Sequence, residues 1–234
     1  MIKDINKYRR DKKQKEKERQ RKVWLNKIKR YAIRNLMKYL VFAMGGVYLL
    51  DFFISPALGY SFSYFLAFDL DAIMMGQVWR LITFIIYPPS SNIMFVFFAL
   101  YFYWLVGTYM ENHWGSFKFN LFYFCGVFGT LLAGFITGYA TNFYINLSLF
   151  LAFAITYPNF EFRLFFILPV KAKWLALIDG LLYSYMLIYN TWPGRLALVL
   201  SLLNIFIFLS GDIKLMIHNA HYRSQKKRKF KKQF

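Results

Sequence analysis

The chain alternates long runs of aromatic and aliphatic residues with short polar breaks, and both flanks of this alternation are strongly basic. Six apolar stretches stand out, near residues 38–56, 91–110, 119–138, 142–157, 173–190 and 195–212. A helix needs roughly 20 apolar residues to cross a bilayer core. In hydrocarbon, only helices and closed barrels satisfy their own backbone groups. The runs are too long and too uniformly apolar for barrel strands, so the pattern predicts an all-α polytopic bundle of six transmembrane helices. The fourth stretch is the weakest, because Asn142, Asn146 and Ser148 make one end of it polar; a short or tilted span is expected there.

Charge distribution refines this picture. Hydrophobic residues make up 58% of the chain, the mean hydropathy is +0.34, and charge is nearly absent from 92–110 and 119–160. Of the 30 Lys and Arg residues, 16 lie in the first 38 positions and 8 lie from Lys214 onward. Basic loops stay on the cytoplasmic side, so both termini are expected there, which requires an even number of crossings. Six crossings place Lys118, Arg163, Lys171 and Lys173 inside and leave only Arg80 and Arg195 outside. The expected organisation is a basic arm (1–37), a membrane domain (38–212) and a basic tail (213–234). The opening segment is too long and too charged for a signal-peptide n-region, so the first span is expected to be an anchor.

The net charge of +19 raises the question of a nucleic-acid partner. Basic residues next to a membrane span are drawn to anionic headgroups by about 1 kcal/mol each, and both ends are read in this way, with Phe230 and Phe234 dipping into the interface. Ribosomal RNA or another acidic cytoplasmic partner is the alternative. Cys125, the single cysteine, lies in an apolar stretch and is expected to be a small core hydrophobe. With no Cys/His cluster, phosphate-binding glycine loop or cofactor fingerprint, neither a metal nor a cofactor is expected. The Lys-, Phe- and Tyr-rich composition fits a bacterial cytoplasmic membrane.

Residues 57–90 are too apolar for a solvated linker and are expected to lie in the interface, with Tyr60, Tyr64, Phe65 and Trp79 at headgroup depth. Arg80 is a lone cation in this segment. Pairing with Asp69 or Asp71, or contact with a phosphate, is expected.

Three landmarks then carry a resemblance. The first is GQVWRLITFIIYP, with Trp79 and Arg80; the second is Gly107, Glu111 and Gly115 in GTYMENHWG, a GxxxExxxG spacing; the third is AFAITYPN followed by FFILPVKAKWLALID. Together, over about 78–178, they resemble the rhomboid superfamily, which includes rhomboid proteases and derlins. The resemblance implies a six-helix rhomboid-like bundle with an interfacial Trp-Arg loop between the first two spans. It also implies where catalytic parts would lie: a GxSG serine in the fourth helix and a histidine in the sixth. Counting back from Pro158, GxSG falls on Thr141, Asn142, Phe143 and Tyr144, so a phenyl ring occupies the serine position. Counting back from Glu111, the HxxxN pair of the oxyanion hole falls on Phe95 and Ala99, which donate no side-chain hydrogen bond. Ser148 lacks the glycine before it, and His113, His218 and His221 are all expected on the cytoplasmic side. A serine hydroxyl needs a base within hydrogen-bond reach, so the catalytic dyad is expected to be missing.

Glu111 is read as a structural residue of a cytoplasmic turn, suited to capping the next helix. Gly126, Gly129, Gly134 and Gly138 are read as an internal packing surface rather than a dimer interface. Asp179, an ionisable group inside the fifth stretch, is costly there; it is read first as a protonated or hydrogen-bonded packing residue, with Tyr183, Ser201 and Asn204 as expected partners, and a client-binding or ion-pathway role stands beside that reading. The expected function is that of a catalytically inactive rhomboid-like protein that binds transmembrane segments of clients, using Asn142, Asn146, Ser148 and Asp179. Two alternatives stand beside it: an intramembrane serine protease with non-standard residues, and a scaffold whose basic arm recruits a cytoplasmic partner.

Overall fold

Within the described residues, each of the six apolar stretches contains a helix. The computed structural model describes residues 16, 19–20, 23, 27, 29–164 and 168–210. Most of the basic arm, residues 211–212 and the whole basic tail (213–234), with His218, His221, Phe230 and Phe234, lie outside the described residues. The helices are α1 (Leu36–Leu58), α2 (Leu70–Met74), α3 (Arg80–Thr83), α4 (Ile93–Trp114), α5 (Ser116–Thr137), α6 (Phe143–Thr156), α7 (Ala172–Tyr189) and α8 (Trp192–Ser210). Two 3-10 turns, Phe62–Phe65 and Phe84–Ile86, complete the 59–92 connection.

Four of these helices, α1, α4, α5 and α8, are long and apolar enough to cross a membrane, as in an integral membrane protein. The two remaining stretches are different. Helix α6 has 14 residues, about 21 Å at 1.5 Å per residue, short of a hydrocarbon core of about 30 Å. Helix α7 has 18 residues but carries Lys173 and Asp179.

Neighbouring helices run antiparallel. The Asn35 N–H at the start of α1 meets Glu111 near the end of α4, while the Tyr48 hydroxyl donates to the Ser91 carbonyl at the other end. Gly126 faces Asn204 and Gly129 faces Leu200, which sets α5 against α8 in opposite senses. The α4–α5 turn is a single residue, Gly115, at φ 78° and ψ 151°. A side chain is strained at that angle, so one glycine lets two 22-residue helices fold back on each other.

One segment departs from the sequence-based expectation of a loop. Glu161–Leu164 and Leu168–Lys171 pair as an antiparallel hairpin, with Phe162 opposite Val170. Its anchor is aromatic. Phe162 is buried with its ring centroid 5.0 Å from Phe102 and 5.5 Å from Phe153, and Phe160 lies 4.9 Å from Tyr109. Aromatic pairs at such distances add about 0.5–1.5 kcal/mol each beyond their burial. The Glu161–Lys171 ion pair, 3.8 Å long between half-exposed side chains, adds little.

Glycine placement bears out close internal packing, with one change. Gly126 and Gly129 lie against Ile145, Asn204 and Leu200 on neighbouring helices. Gly134 instead lies under Phe68 and Ala140, where a methyl group would sit 2.7 Å from the Phe68 ring, and Gly138 closes α5 as its C-cap. Cys125 is exposed, so it faces away from the core rather than filling it. In an all-apolar helix, hydropathy does not mark which face turns inward.

Candidate functional site

The Trp79–Arg80 loop is built by backbone capture. A 3-10 turn leaves its last carbonyls without helical partners, and residues 79–83 collect four in succession. The Trp79 indole N–H donates to the Phe65 carbonyl at 3.2 Å, and the Thr83 hydroxyl donates to Leu66 at 3.0 Å. Arg80 Nη1 donates to the Tyr64 and Ala67 carbonyls at 2.8 and 2.7 Å, and its Nε donates to Gln77 Oε1 at 2.7 Å. The guanidinium carbon also lies 5.6 Å from the Tyr64 ring centroid. Arg80 is 2% exposed. Its expected pairing with Asp69 or Asp71 is corrected: the cation is held by carbonyl dipoles, and Asp69 caps α2 by accepting from the Ala72 N–H. Tyr60, Tyr64, Phe65 and Trp79 are exposed around this cradle.

Gly107, Glu111 and Gly115 form a second junction. Glu111 Oε1 accepts from the Asn35 N–H at 2.8 Å and from the Ser116 hydroxyl at 2.6 Å. It therefore ties the start of α1 to the first residue of α5. Asn35 needs this bond, since it stands at φ 56° with no side-chain cap of its own. One turn earlier, Gly107 faces Met37, and a methyl group on it would overlap Met37 Cβ and Cγ. Glu111→Ala is expected to cost about 1–2 kcal/mol, because the part-buried Asn35 N–H and Ser116 hydroxyl both lose their acceptor. Glu111→Gln keeps Oε1 and is expected to lose less than half of that. Thermal unfolding of the two variants in detergent checks the order.

The four residues expected to meet a client separate into two pairs. Asn142 Nδ2 donates to the Ile85 and Tyr87 carbonyls at 2.8 and 2.9 Å, tying the mouth of α6 to the 59–92 connection. Ser148 is fully buried and donates to Ile145 within its own helix at 2.7 Å. These two are structural. Phe143, where the rhomboid resemblance would set a serine, opens α6 and is exposed. The His113 ring packs on Tyr157 with centroids 5.5 Å apart, at the opposite end of α6.

Asn146 and Asp179 are the other pair. Each is 3% exposed, and neither the Asn146 amide nor either Asp179 carboxyl oxygen has a hydrogen-bond partner among the described residues. The expected Asp179 partners are engaged elsewhere. Tyr183 and Ser201 share a hydrogen bond of 3.4 Å, and Asn204 Nδ2 donates to the Phe122 carbonyl. The Asn120 and Asn204 carbonyl oxygens and the Tyr123 hydroxyl are also buried without a partner there. Asn120 and Tyr123, which sequence reasoning missed, were visible as polar breaks in the third stretch. Buried polar groups are hydrogen-bonded in the great majority of folds, so helices α5–α8 carry unusual spare hydrogen-bonding capacity. Helix α7 is accordingly polar inward, through Asp179 and Tyr183 one turn apart, and apolar outward, through Leu177, Leu181, Tyr185 and Ile188.

A lateral groove lies between α1 and α4. Its volume is about 720 Å³, and apolar side chains such as Phe42, Leu49, Phe97 and Trp104 form its walls. Among the described residues, no three His, Cys, Asp or Glu side chains come together as metal ligands. No protein-family model matches the chain, and no curated protein matches it either.

Proposed function

We propose that this chain is a rhomboid-like, six-span protein of a bacterial cytoplasmic membrane, with both termini on the cytoplasmic side, that binds transmembrane segments of client proteins without cleaving them. The observation that carries the reading is Asp179, whose carboxyl group is buried inside a membrane-embedded bundle with no hydrogen-bond partner among the described residues. Ionisable groups inside membrane helices are costly and mark functional positions. Asn146 and Asn204 add unused amide capacity in the same four-helix interior. A client helix with a polar residue near its middle would complete these bonds, and interhelical hydrogen bonds in membranes are worth about 1 kcal/mol each. Displacement of α7, whose outward face is apolar and whose inward face is polar, opens that interior to the side. The Trp79–Arg80 loop and the Gly107–Glu111–Gly115 junction support the rhomboid-like part of the reading by their matching motifs and by their placement between helices.

The test separates stability from binding. Asp179→Leu removes an unpartnered buried carboxyl and is expected to raise stability by about 1–3 kcal/mol, measured by thermal unfolding in detergent. The same variant is expected to lose capture of a photoreactive model transmembrane helix that carries a central Asn. A destabilised Asp179→Leu protein, or one that captures the helix as well as the parent does, overturns the role given to Asp179.

A further inference from the structure

Where α1 passes the 59–92 connection, one of its faces turns polar. Tyr48, Asp51, Phe52 and Ser55 follow the i, i+3, i+4, i+7 spacing that sets side chains on one side of a helix, and all four line a pocket of about 390 Å³. Ser61, Ser63 and residues 87–91 form its other walls. Pro88 and Pro89 lock their own backbone φ, so that last wall is stiff. The pocket lies at the end of the α1–α4 pair remote from Glu111, where the Tyr48 hydroxyl meets the Ser91 carbonyl. Among the described residues that line it, Asp51 alone is charged. Its Oδ1 accepts from the Ser63 N–H at 2.9 Å and from the Ser55 hydroxyl at 3.2 Å, and the Ser61 and Ser63 hydroxyls, 2.9 Å apart, also face the carboxylate. No Lys or Arg among the described residues pairs with it. An oriented carboxylate thus stands at the wall of a cavity with no cationic side chain to balance it.

We infer that this pocket binds a primary ammonium compound with a short apolar body, taken up from water. The charge sets the sign of the ligand. An ammonium group has three N–H donors and no acceptor, and the Asp51 carboxylate and the serine hydroxyls around it supply the acceptors it needs. The remaining lining suits the body of such a ligand. Tyr48 and Phe52 are stacked with ring centroids 6.4 Å apart, and with Tyr87 and the two prolines they offer apolar contact and aromatic faces that attract a cation. A bare metal ion fits the lining less well. Calcium takes about six to eight oxygen ligands in a tight shell, whereas this pocket has one carboxylate and a volume within the roughly 300–1,000 Å³ of small-molecule sites. The exposed lining residues are Ser61, Tyr87, Ser91 and Phe52. Three hydroxyls to one apolar ring make the entrance polar, so the ligand enters from water.

The experiment is saturation-transfer NMR of the full chain in maltoside micelles, titrated with phenethylammonium. Saturable binding with a Kd of about 1 mM is expected, modest because one partly exposed charge anchors the ligand. The uncharged analogue 2-phenylethanol is expected to show no saturable binding, and the N,N,N-trimethyl analogue, which keeps the charge without N–H donors, is expected to bind at least about five-fold more weakly. Asp51→Asn keeps Oδ1 as the acceptor for Ser63 and Ser55, so its thermal unfolding is expected to stay close to that of the parent while the amine binds at least about ten-fold more weakly. Ser91→Lys tests the same pocket without touching the carboxylate, because it tethers a competing ammonium at an exposed position of the lining; the same loss is expected. Phosphatidylethanolamine added to the micelles is expected to leave the amine bound. Parent-like binding in a folded Asp51→Asn or in Ser91→Lys, equal binding of the trimethyl analogue, or displacement of the amine by the lipid or by an equal concentration of calcium would each overturn the inference.

Discussion

Arg80→Ala is expected to be the most damaging single substitution in the described chain, lowering stability by on the order of 4 kcal/mol, since bonds from a charged donor are worth about 1.5–3 kcal/mol each. The guanidinium makes three short hydrogen bonds and is 2% exposed. Its removal leaves the Tyr64 and Ala67 carbonyls without a donor at the edge of an apolar bundle, where water is a poor substitute. Lysine is a weak replacement. Its ammonium is a point charge on a flexible stem and cannot reproduce the planar fork that reaches two carbonyls and Gln77 together. Arg80→Lys is therefore expected to recover less than half of the loss. Thermal unfolding in detergent reads the magnitude, and limited proteolysis across 61–87 reads the place. Parent-like stability for Arg80→Ala would mean that the carbonyls are satisfied in another way.

Gly107→Val is the second large effect. Any side chain at this position overlaps Met37 Cβ and Cγ, and Met37 is 1% exposed. Overpacking of this kind costs about 1–3 kcal/mol, and a branched side chain falls at the upper end of that range. The strain acts on the contact between α1 and α4, next to the Asn35–Glu111 bond, so both are expected to loosen together. Gly107→Ala is expected to cost less, and Met37→Ala in the same chain should recover part of the loss as a measurable coupling. Gly180→Ala is the control, because nothing lies within 4 Å of a methyl group there, and alanine gains up to about 1 kcal/mol of helix propensity over glycine.

The positions of the helices were legible in the sequence to within a few residues, because long apolar runs and their polar breaks are a one-dimensional signal. Glu111 was legible as a structural residue at a helix end, but not the helix it serves: it was expected to cap α5, and it accepts instead from the Asn35 N–H at the start of α1 and from the Ser116 hydroxyl, with no backbone N–H of α5. Other partners were hidden too. Arg80 takes carbonyls of Tyr64 and Ala67, and Asn142 takes those of Ile85 and Tyr87; every residue has a carbonyl, so no side-chain pattern announces such a bond. Helix faces were hidden for a related reason. Lipid is as apolar as the core, and Cys125 reads the same on either side of α5. The hairpin was missed because four-residue strands give only two alternations, Glu161/Phe162 and Arg163/Leu164, too few to stand apart from a loop. Asp179 was conspicuous as a charge in an apolar run, but Ser201 and Asn204 turn to Tyr183 and Phe122 instead. Only the packed helices decide that.

The central claim is binding of membrane segments without hydrolysis, and one measurement addresses both halves. A model transmembrane helix with a central Asn and a photoreactive residue beside it is reconstituted with the full chain in liposomes, and crosslinked and cleaved products are quantified together. The account predicts a crosslink that maps to α5–α8, is lost in Asp179→Leu and in an all-Leu client, and forms with no cleavage product. Cleavage of the client that disappears in Ser148→Ala, or crosslinking indifferent to both Asp179 and the client's Asn, would contradict it.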